Sequence, residues 1–369
     1  MNPIKRIETF GQAVWLDHYD HELLRGKLQR HISEDGLKGL TSNPAILAKA
    51  LPPLAQRDEV RARAQDLSSA KALYEALALD ELGAAADQFR PLFDSTDGWH
   101  GWVSLEVDPR LAFDARATVA EAARLFSELG RPNVFVKVPA TREGLMAITQ
   151  LTEQGVNVNV TLVFSVPRYL EVANAFMTGL ERRASKGLSL SNIRSVASFF
   201  LSRIDAAVDP ELEAIAKAGG STAGAAQQLL GSIALASAKL AYDGYLELCA
   251  GGRWSALSAR GARPQWLLWG STGTKNPNYD ALKYVEALIG PETITTIPPE
   301  TLEVYRKRGN PATRVHEGVE RARIAFEQLA QVGIDIERVT QKLESEGVEK
   351  FAKPFDGLLR TLECFVTAA

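Results

Sequence analysis

The stretch Asn133-Val-Phe-Val-Lys-Val138 is an apolar, β-branched run that a single lysine interrupts. This composition favours a buried strand. Similar short runs alternate with longer helical patterns on both sides of it, which predicts a parallel sheet covered by helices. Eight strands are predicted, the number that a closed barrel requires, so the predicted fold class is α/β, a (β/α)8 TIM barrel. The predicted strands are Ala13–Asp17, Lys38–Ser42, Trp102–Asp108, Asn133–Val138, Asn157–Phe164, Arg194–Phe199, Gln265–Ser271 and Thr293–Ile297.

Helical patterns fill the intervals between the strands. Asp114–Gly130 begins with a capping Asp, carries an apolar stripe and ends with a Gly, so both ends of this helix are predicted. Gly219–Leu248 and Thr313–Leu343 are also predicted to be helical. Phe351–Ala369 is predicted to be a terminal helix, packed on the barrel or over its mouth, within a helical extension of about residues 340–369. No linker divides the chain, so residues 1–369 are expected to form one barrel domain.

The composition excludes several classes of partner. The chain has 369 residues, 46% of them hydrophobic and 24% charged, as in ordinary globular proteins. Its formal net charge of −3 gives no general attraction to nucleic acid or anionic membranes, so neither is expected as a partner. Cys249 and Cys364 form no paired motif, and residues 1–10 lack the apolar core of a signal peptide. These features predict a cytoplasmic protein, which could be a monomer or a homodimer.

Ionisable side chains interrupt the predicted strands near their carboxyl ends, where barrel enzymes carry their chemistry. Burial of Lys137 would remove its hydration and favour the neutral amine, the form that attacks a carbonyl carbon. Asp17 ends the first strand and Glu106 lies on the third, so these two carboxylates are candidate proton carriers. There are simpler alternatives. In these alternatives, the Lys137 side chain extends to solvent or pairs with a carboxylate. Asp17 then caps a helix, and Glu106 is an ion-pair partner.

One face of the fifth predicted strand is polar. Asn157, Asn159 and Thr161 alternate with valines and a leucine, and this places all three on the same face. Amide and hydroxyl groups inside a barrel can hold sugar hydroxyls or a water molecule. A purely structural polar layer explains the pattern equally well.

Cations follow the sixth and seventh predicted strands, a region where barrels often bind phosphate. Arg203 comes five residues after Ser198, and the seventh strand continues into Ser271-Thr-Gly-Thr-Lys275. Arginine offers a bidentate fork and lysine a point charge. Solvated surface cations are the alternative. The segment Gly270–Lys275 lacks the Gly-Lys-Ser/Thr ending of a nucleotide-binding loop.

The sequence predicts neither a metal nor an organic cofactor. The five histidines are scattered, at positions 18, 21, 31, 100 and 316, and do not have metal-ligand spacing. No glycine-rich dinucleotide fingerprint follows any predicted strand.

Four segments in sequence order resemble the transaldolase family, and the resemblance covers nearly the whole chain. They are Gly39-Leu-Thr-Ser-Asn-Pro44, Val103-Ser-Leu-Glu-Val-Asp108, Val136-Lys-Val-Pro-Ala-Thr141 and Asn157-Val-Asn-Val-Thr-Leu-Val-Phe-Ser165. The resemblance implies that Lys137 is the Schiff-base lysine, that Asp17 transfers protons, and that Glu106 with Thr161 holds the catalytic water. It further implies that the substrate is bound by Asn43, Asn159, Ser198, Phe200, Arg203, Ser271 and Lys275.

The activity that the resemblance implies is transfer of a dihydroxyacetone unit between sugar phosphates in the non-oxidative pentose phosphate pathway. The donor would be fructose 6-phosphate or sedoheptulose 7-phosphate, and the acceptor erythrose 4-phosphate or glyceraldehyde 3-phosphate. The segment Ser271-Thr-Gly-Thr-Lys275-Asn276 departs from the commoner Ser-x-Arg-Asn pattern. It resembles a longer subfamily that is sometimes fused to phosphoglucose isomerase.

Two other functions remain open. A fructose-6-phosphate aldolase would release free dihydroxyacetone, but those relatives look different where this sequence has Glu106 and Phe200, with Gln and Tyr respectively. A barrel without catalysis could bind sugar phosphates as a regulatory or interaction module. The complete set of Lys137, Asp17 and Glu106 favours an enzyme.

Overall fold

The computed structural model describes residues 2–366 except 52, 54–57, 59–60, 62–63 and 65–66. Eight parallel strands form a closed barrel in which spatial order follows chain order, so the predicted (β/α)8 barrel is confirmed. Each strand lies within two residues of its predicted bounds. The strands are β1 Gln12–Asp17, β2 Gly39–Thr41, β3 Trp102–Glu106, β4 Val134–Pro139, β5 Val158–Val163, β6 Ser195–Phe200, β7 Trp266–Gly270 and β8 Thr293–Ile297.

Helices surround the barrel. Short helical segments at Leu23–Lys27, Leu28–Arg30 and His31–Asp35 connect β1 to β2, and 3-10 turns lie at Glu8–Phe10 and Pro109–Leu111. The longer helices are α1 Pro3–Ile7, α2 Pro44–Ala50, α3 Ala70–Ser95, α4 Ala115–Leu129, α5 Arg142–Gln154, α6 Val166–Ser185, α7 Ser202–Ala218, α8 Ala223–Leu229, α9 Ile233–Ala250, α10 Gly252–Ser258, α11 Lys283–Ala287, α12 Pro299–Arg308, α13 Val319–Gln331 and α14 Ile336–Val366.

Helix α4 has both of its predicted ends. The side chain of Asp114 accepts a hydrogen bond from the backbone N–H of Ala117, and Gly130 ends the helix with a φ of 58°. The first contact satisfies one free N–H of the first turn, and the second uses the left-handed conformation that glycine adopts most easily.

The segment Gly219–Leu248, predicted to be helical, is divided into two helices. The segment forms α8 and α9, and Gly231, with a φ of +67°, lies between them. The backbone N–H of Gly231 donates to Asp209 Oδ1 at 2.8 Å. This tertiary hydrogen bond stabilises a break that the alanine-rich composition does not indicate.

The segment Thr313–Leu343, also predicted to be helical, is helical only from residue 319 and is interrupted between residues 331 and 336. Helix α13 begins after Gly318 and ends before Gly333, and both glycines have positive φ angles.

The terminal helix α14 begins at Ile336 instead of Phe351. Asp335 Oδ1 accepts hydrogen bonds from the next turn and starts this helix early. Residues 367–369 of the predicted terminal helix lie outside the described residues.

A layer of aromatic side chains fills the inside of the barrel. The ring centres of Trp102 and Phe135 are 4.3 Å apart, and Trp15 lies 6.1 Å from Phe135. All three are buried. Beyond this layer, at the carboxyl ends of the strands, the register places Glu106 opposite Lys137 and Lys137 opposite Asn159. The ionisable groups are therefore neighbours on one face of the barrel.

Helix α14 crosses close to the end of β5. Leu162 has a φ of 60°, and the register with β6 shifts between Val160 and Val163. A Cβ atom on Gly347 would lie 3.0 Å from Leu162 Cδ2, so glycine permits this close approach. Phe351 lies one turn further along the same face of α14 and is thereby brought to the barrel mouth. Within the described part of the chain, no helix is both long and apolar enough to cross a membrane.

Candidate active site

A cavity of about 360 Å³ opens at the carboxyl ends of the strands. Eight of the residues that the sequence singled out lie in its wall, although the strands and loops that carry them are far apart in the chain. These are Asp17, Asn43, Lys137, Ser198, Phe200, Arg203, Ser271 and Lys275. The other three predicted site residues, Glu106, Asn159 and Thr161, lie on β3 and β5 but not in the cavity wall.

Lys137 connects the cavity to the polar groups behind it. Its side chain is 6% exposed, and Nζ lies 3.5 Å from Glu106 Oε2. The same nitrogen donates a hydrogen bond to the carbonyl oxygen of Ser42 at 2.7 Å. An amine held in this way has a fixed position and a carboxylate beside it that can exchange protons with it.

Glu106 is the buried partner of this lysine, with 4% of its surface exposed. Burial raises the pKa of the Glu106 carboxyl, because the charged form loses its hydration, while the charges of Lys137 and Arg203 oppose the shift. A raised pKa makes the ionised carboxylate a stronger proton acceptor. The predicted ion pair with Lys137 therefore does not conflict with a role in proton transfer.

Asp17 approaches the cavity from β1. Burial raises the pKa of its carboxyl, and the positive charge of Lys137 counteracts that rise. The negative charge of Glu300 adds to the increase. At the start of the helical segment that follows β1, the backbone N–H of Leu23 donates to Asp20 Oδ1, so this geometry does not favour the capping role for Asp17.

A polar layer supports Lys137 from β5 and β6. Asn159 Nδ2 donates to Ser104 Oγ at 3.1 Å, and Asn159 Oδ1 accepts from Ser198 Oγ at 2.7 Å. Thr161 is fully buried, and its hydroxyl has no hydrogen-bond partner among the described residues. Asn159 is thus held by protein groups, whereas the Thr161 hydroxyl keeps its hydrogen-bonding capacity.

Asn43 has two roles available. Its Oδ1 accepts a hydrogen bond from the backbone N–H of Ile46 at 3.0 Å and caps α2. Because the oxygen is held by the helix, the amide nitrogen remains as the group that can donate to a ligand in the cavity.

Arg203 lies beside two neighbouring aromatic rings, whose centres are 6.5 Å apart. Its guanidinium carbon is 5.3 Å from the ring centre of Phe200 and 5.7 Å from that of Phe351. Nη1 is buried and has no hydrogen-bond partner among the described residues. The cation–π contacts hold the guanidinium in position, and the unpartnered Nη1 can still donate to an anion.

The loop after β7 places two more polar groups at the cavity. Ser271 adopts a φ of 53°, unusual for a residue with a side chain, and its Oγ lies 2.8 Å from Ser202 Oγ. Lys275 is exposed and lies in the cavity wall. This loop therefore adds a hydroxyl and a cation to the same side of the cavity as Arg203.

Sequence reasoning missed three cavity residues of chemical interest: Thr296 on β8, Glu300 on α12 and Phe351 on α14. The polar run Thr-Ile-Thr-Thr-Ile of β8 could have indicated Thr296 by the criterion that identified Thr161. Phe351 had no local signal, because its place at the cavity depends on how α14 packs over β5. Among the described residues, no group of three or more His, Cys, Asp or Glu side chains could hold a metal ion.

Comparison with known proteins identifies similar sequences over almost the entire chain. A family model described as Transaldolase/Fructose-6-phosphate aldolase matches residues 14–362. A protein named Transaldolase from Thiobacillus denitrificans is 45% identical, over 97% of this chain and 99% of its own length. Proteins of the same name from Trichodesmium erythraeum and Thermobifida fusca are 40% and 42% identical, and the matches cover 98% and 97% of this chain and 97% and 96% of theirs.

Proposed function

The chain belongs to the transaldolase/fructose-6-phosphate aldolase family, and we propose that it transfers a dihydroxyacetone unit from a ketose phosphate to an aldose phosphate through a Schiff base on Lys137. The observation that carries this proposal is the pairing of the buried Lys137 amine with Glu106, at 3.5 Å, at the edge of a cavity. Fructose 6-phosphate and sedoheptulose 7-phosphate are the proposed donors. Erythrose 4-phosphate and glyceraldehyde 3-phosphate are the proposed acceptors.

The first half of the reaction makes the covalent bond. Lys137 Nζ attacks the ketone carbon of the donor, and the resulting carbinolamine loses water to give an imine. Glu106 is suited to pass protons to and from this water, since burial raises the pKa of its carboxyl. The unpartnered hydroxyl of Thr161 is the proposed second contact for the water.

Cleavage and transfer follow at the same lysine. Asp17 takes the proton of the hydroxyl next to the bond that breaks, and an aldose phosphate leaves while three carbons remain on Lys137 as an enamine. The protonated imine accepts the electron pair of the broken bond, so the proposed reaction needs no cofactor. The enamine then attacks the aldehyde of the acceptor, and hydrolysis of the new imine releases the product.

The substrate phosphate is proposed to bind at Arg203, with Ser271 and Lys275 beside it. The unpartnered Nη1 of Arg203, in a guanidinium held by two cation–π contacts, suits a tetrahedral dianion. Asn43 and, through the second hydrogen of its Nδ2, Asn159 are the proposed contacts for the donor's hydroxyls. Ser198 and Phe200 lie in the cavity wall. We further propose a cytoplasmic enzyme, because Cys249 and Cys364 belong to no paired motif. A monomer or homodimer is proposed as its state of assembly.

Borohydride trapping tests the covalent step. Reduction in the presence of fructose 6-phosphate should attach a three-carbon adduct to Lys137, located by peptide mapping. Lys137→Ala should fold normally and lose the adduct together with nearly all turnover, and Lys137→Arg should do the same because it keeps the charge but cannot form an imine. An adduct on Lys275 would overturn the assignment. Release of free dihydroxyacetone without an acceptor requirement would identify the aldolase reaction instead.

A further inference from the structure

A second cavity of about 440 Å³ lies between α7 and α14 and adjoins the first. The two cavities share Arg203 and Lys275 in their walls. Lys137 lies in the wall of the first cavity only, and the cations that α14 contributes lie in the wall of the second only. We call the second cavity the α7–α14 groove. It therefore lies next to the proposed phosphate position, on the side away from the reacting lysine.

The α7–α14 groove carries an excess of positive charge. Five cations line it, and two carboxylates, Glu211 and Glu346, accompany them. Glu346 pairs with Lys350 at 2.9 Å and with Lys342 at 3.8 Å, and Glu211 pairs with Arg338 at 2.8 Å. The surplus of cations contrasts with the net charge of −3 of the whole chain, so positive charge is concentrated at this place. The cations are Arg203, Lys275, Arg338, Lys342 and Lys350.

Two of these cations form no ion pair with a carboxylate of the described residues. Arg203 Nη1 is buried without a hydrogen-bond partner, and Lys275 makes no ion pair, in the part of the chain that the structure describes. A buried donor without a partner is costly unless a ligand or water satisfies it. Both groups lie where the groove meets the first cavity, so a phosphate bound in the groove can share them.

We propose that the α7–α14 groove is a second anion-binding site, which holds the phosphate of an aldose phosphate beside the reaction cavity. The inference rests on the proposed function. In that reaction Lys137 retains three carbons while one aldose phosphate leaves and another arrives. A second phosphate position next to Arg203 raises the local concentration of the arriving acceptor and gives the departing product a path along cations.

Calorimetric titration with inorganic phosphate tests the site without relying on turnover. In the Arg203→Ala background, which removes the arginine that both cavities share, adding Lys342→Gln and Lys350→Gln together should reduce the remaining phosphate affinity about two- to fivefold, the scale of exposed charge contacts. Glu346→Gln in the same background should increase the affinity, since it releases both lysines. This gain cannot result from misfolding. Lys353→Gln is the matched control, because Lys353 lies on α14 with its side chain 80% exposed and does not line the groove.

Kinetics in the otherwise wild-type chain complete the test. The double lysine variant should lower kcat/KM for erythrose 4-phosphate and flatten its dependence on salt, with unphosphorylated glyceraldehyde unaffected. The inference would be overturned if the double lysine variant bound phosphate as tightly as Lys353→Gln does. It would also be overturned if Glu346→Gln left the phosphate affinity unchanged. If phosphate binds as expected but the wild-type chain transfers no three-carbon unit, the proposed function fails and the groove stands as a phosphate site.

Discussion

Glu106 Oε2 lies 3.5 Å from Lys137 Nζ, and both side chains are at least nine-tenths buried. Separating two opposite charges this close together costs much free energy in a site from which water is largely excluded. The pair therefore fixes the lysine in position as well as supplying a proton acceptor. The first two predictions concern these consequences.

Glu106→Gln should lower turnover much more than donor affinity. Glutamine preserves the shape of the side chain but cannot take a proton from the water that forms and hydrolyses the imine, so a fall of roughly 10²-fold or more in kcat is expected. Steady-state kinetics with fructose 6-phosphate measure it. Thermal unfolding of the same variant is the control, and a nearly normal kcat in a stable variant would assign Glu106 to a structural ion pair.

Activity should fall as the pH decreases, and the fall should occur at pH values above the ordinary pKa range of carboxyl groups. Burial raises the pKa of both Glu106 and Asp17. Their ionised forms are therefore present above the raised pKa values and lost as pH falls through them. A plot of kcat/KM against pH should show its acid limb above about 4.3, the ordinary glutamate value. An acid limb at or below that value would contradict an essential base at these positions.

Local sequence patterns were sufficient for the barrel and for the residues at its strand ends. Lys137 was singled out because it interrupts an apolar run, and Thr161 because it lies on the polar face of an alternating strand. A barrel gathers its strand ends on one face, which brings such residues together. The same reasoning failed where long-range contacts decide the backbone. The break at Gly231 depends on Asp209, which precedes it by 22 residues, and no local composition encodes that contact.

The second ring at Arg203 illustrates the same limit. Phe200 is three residues from the arginine and could be predicted, whereas Phe351 is separated from it by most of the second half of the chain. Its contact requires the close crossing of α14 over Leu162 that Gly347 permits. Helix periodicity can predict that Phe351 is buried, but it does not specify the partner.

Phe351→Leu should weaken the use of phosphorylated acceptors through Arg203. Loss of one cation–π contact costs about 0.5–1 kcal/mol, so the KM for erythrose 4-phosphate should rise roughly two- to fivefold with little change in kcat. Phe351→Tyr should retain the contact. Phe355→Leu is the control, because Phe355 is one turn further along α14, is buried and packs beside Arg110. Equal effects of the two leucine variants would show a general defect of α14.

Arg203→Ala tests the phosphate position itself, since both proposed substrates carry phosphate at the end remote from the reacting carbons. Loss of a charge-assisted contact typically costs about 1.5–3 kcal/mol, or roughly 10- to 150-fold in apparent affinity, so use of erythrose 4-phosphate should weaken by about that factor. Unphosphorylated glyceraldehyde should be little affected. Arg203→Lys should recover part of the loss, because it restores the charge but neither the planar fork nor the stacking.

The ratio of the two acceptors makes this prediction specific. A folding defect would depress both reactions alike, whereas loss of a phosphate contact penalises only the phosphorylated acceptor. Lys275→Ala should show a smaller change in the same direction, since Lys275 is exposed and its ammonium offers no bidentate contact. An unchanged ratio in Arg203→Ala would mean that the phosphate binds elsewhere, and the cation–π contacts of Arg203 would then serve to hold α14 against β6.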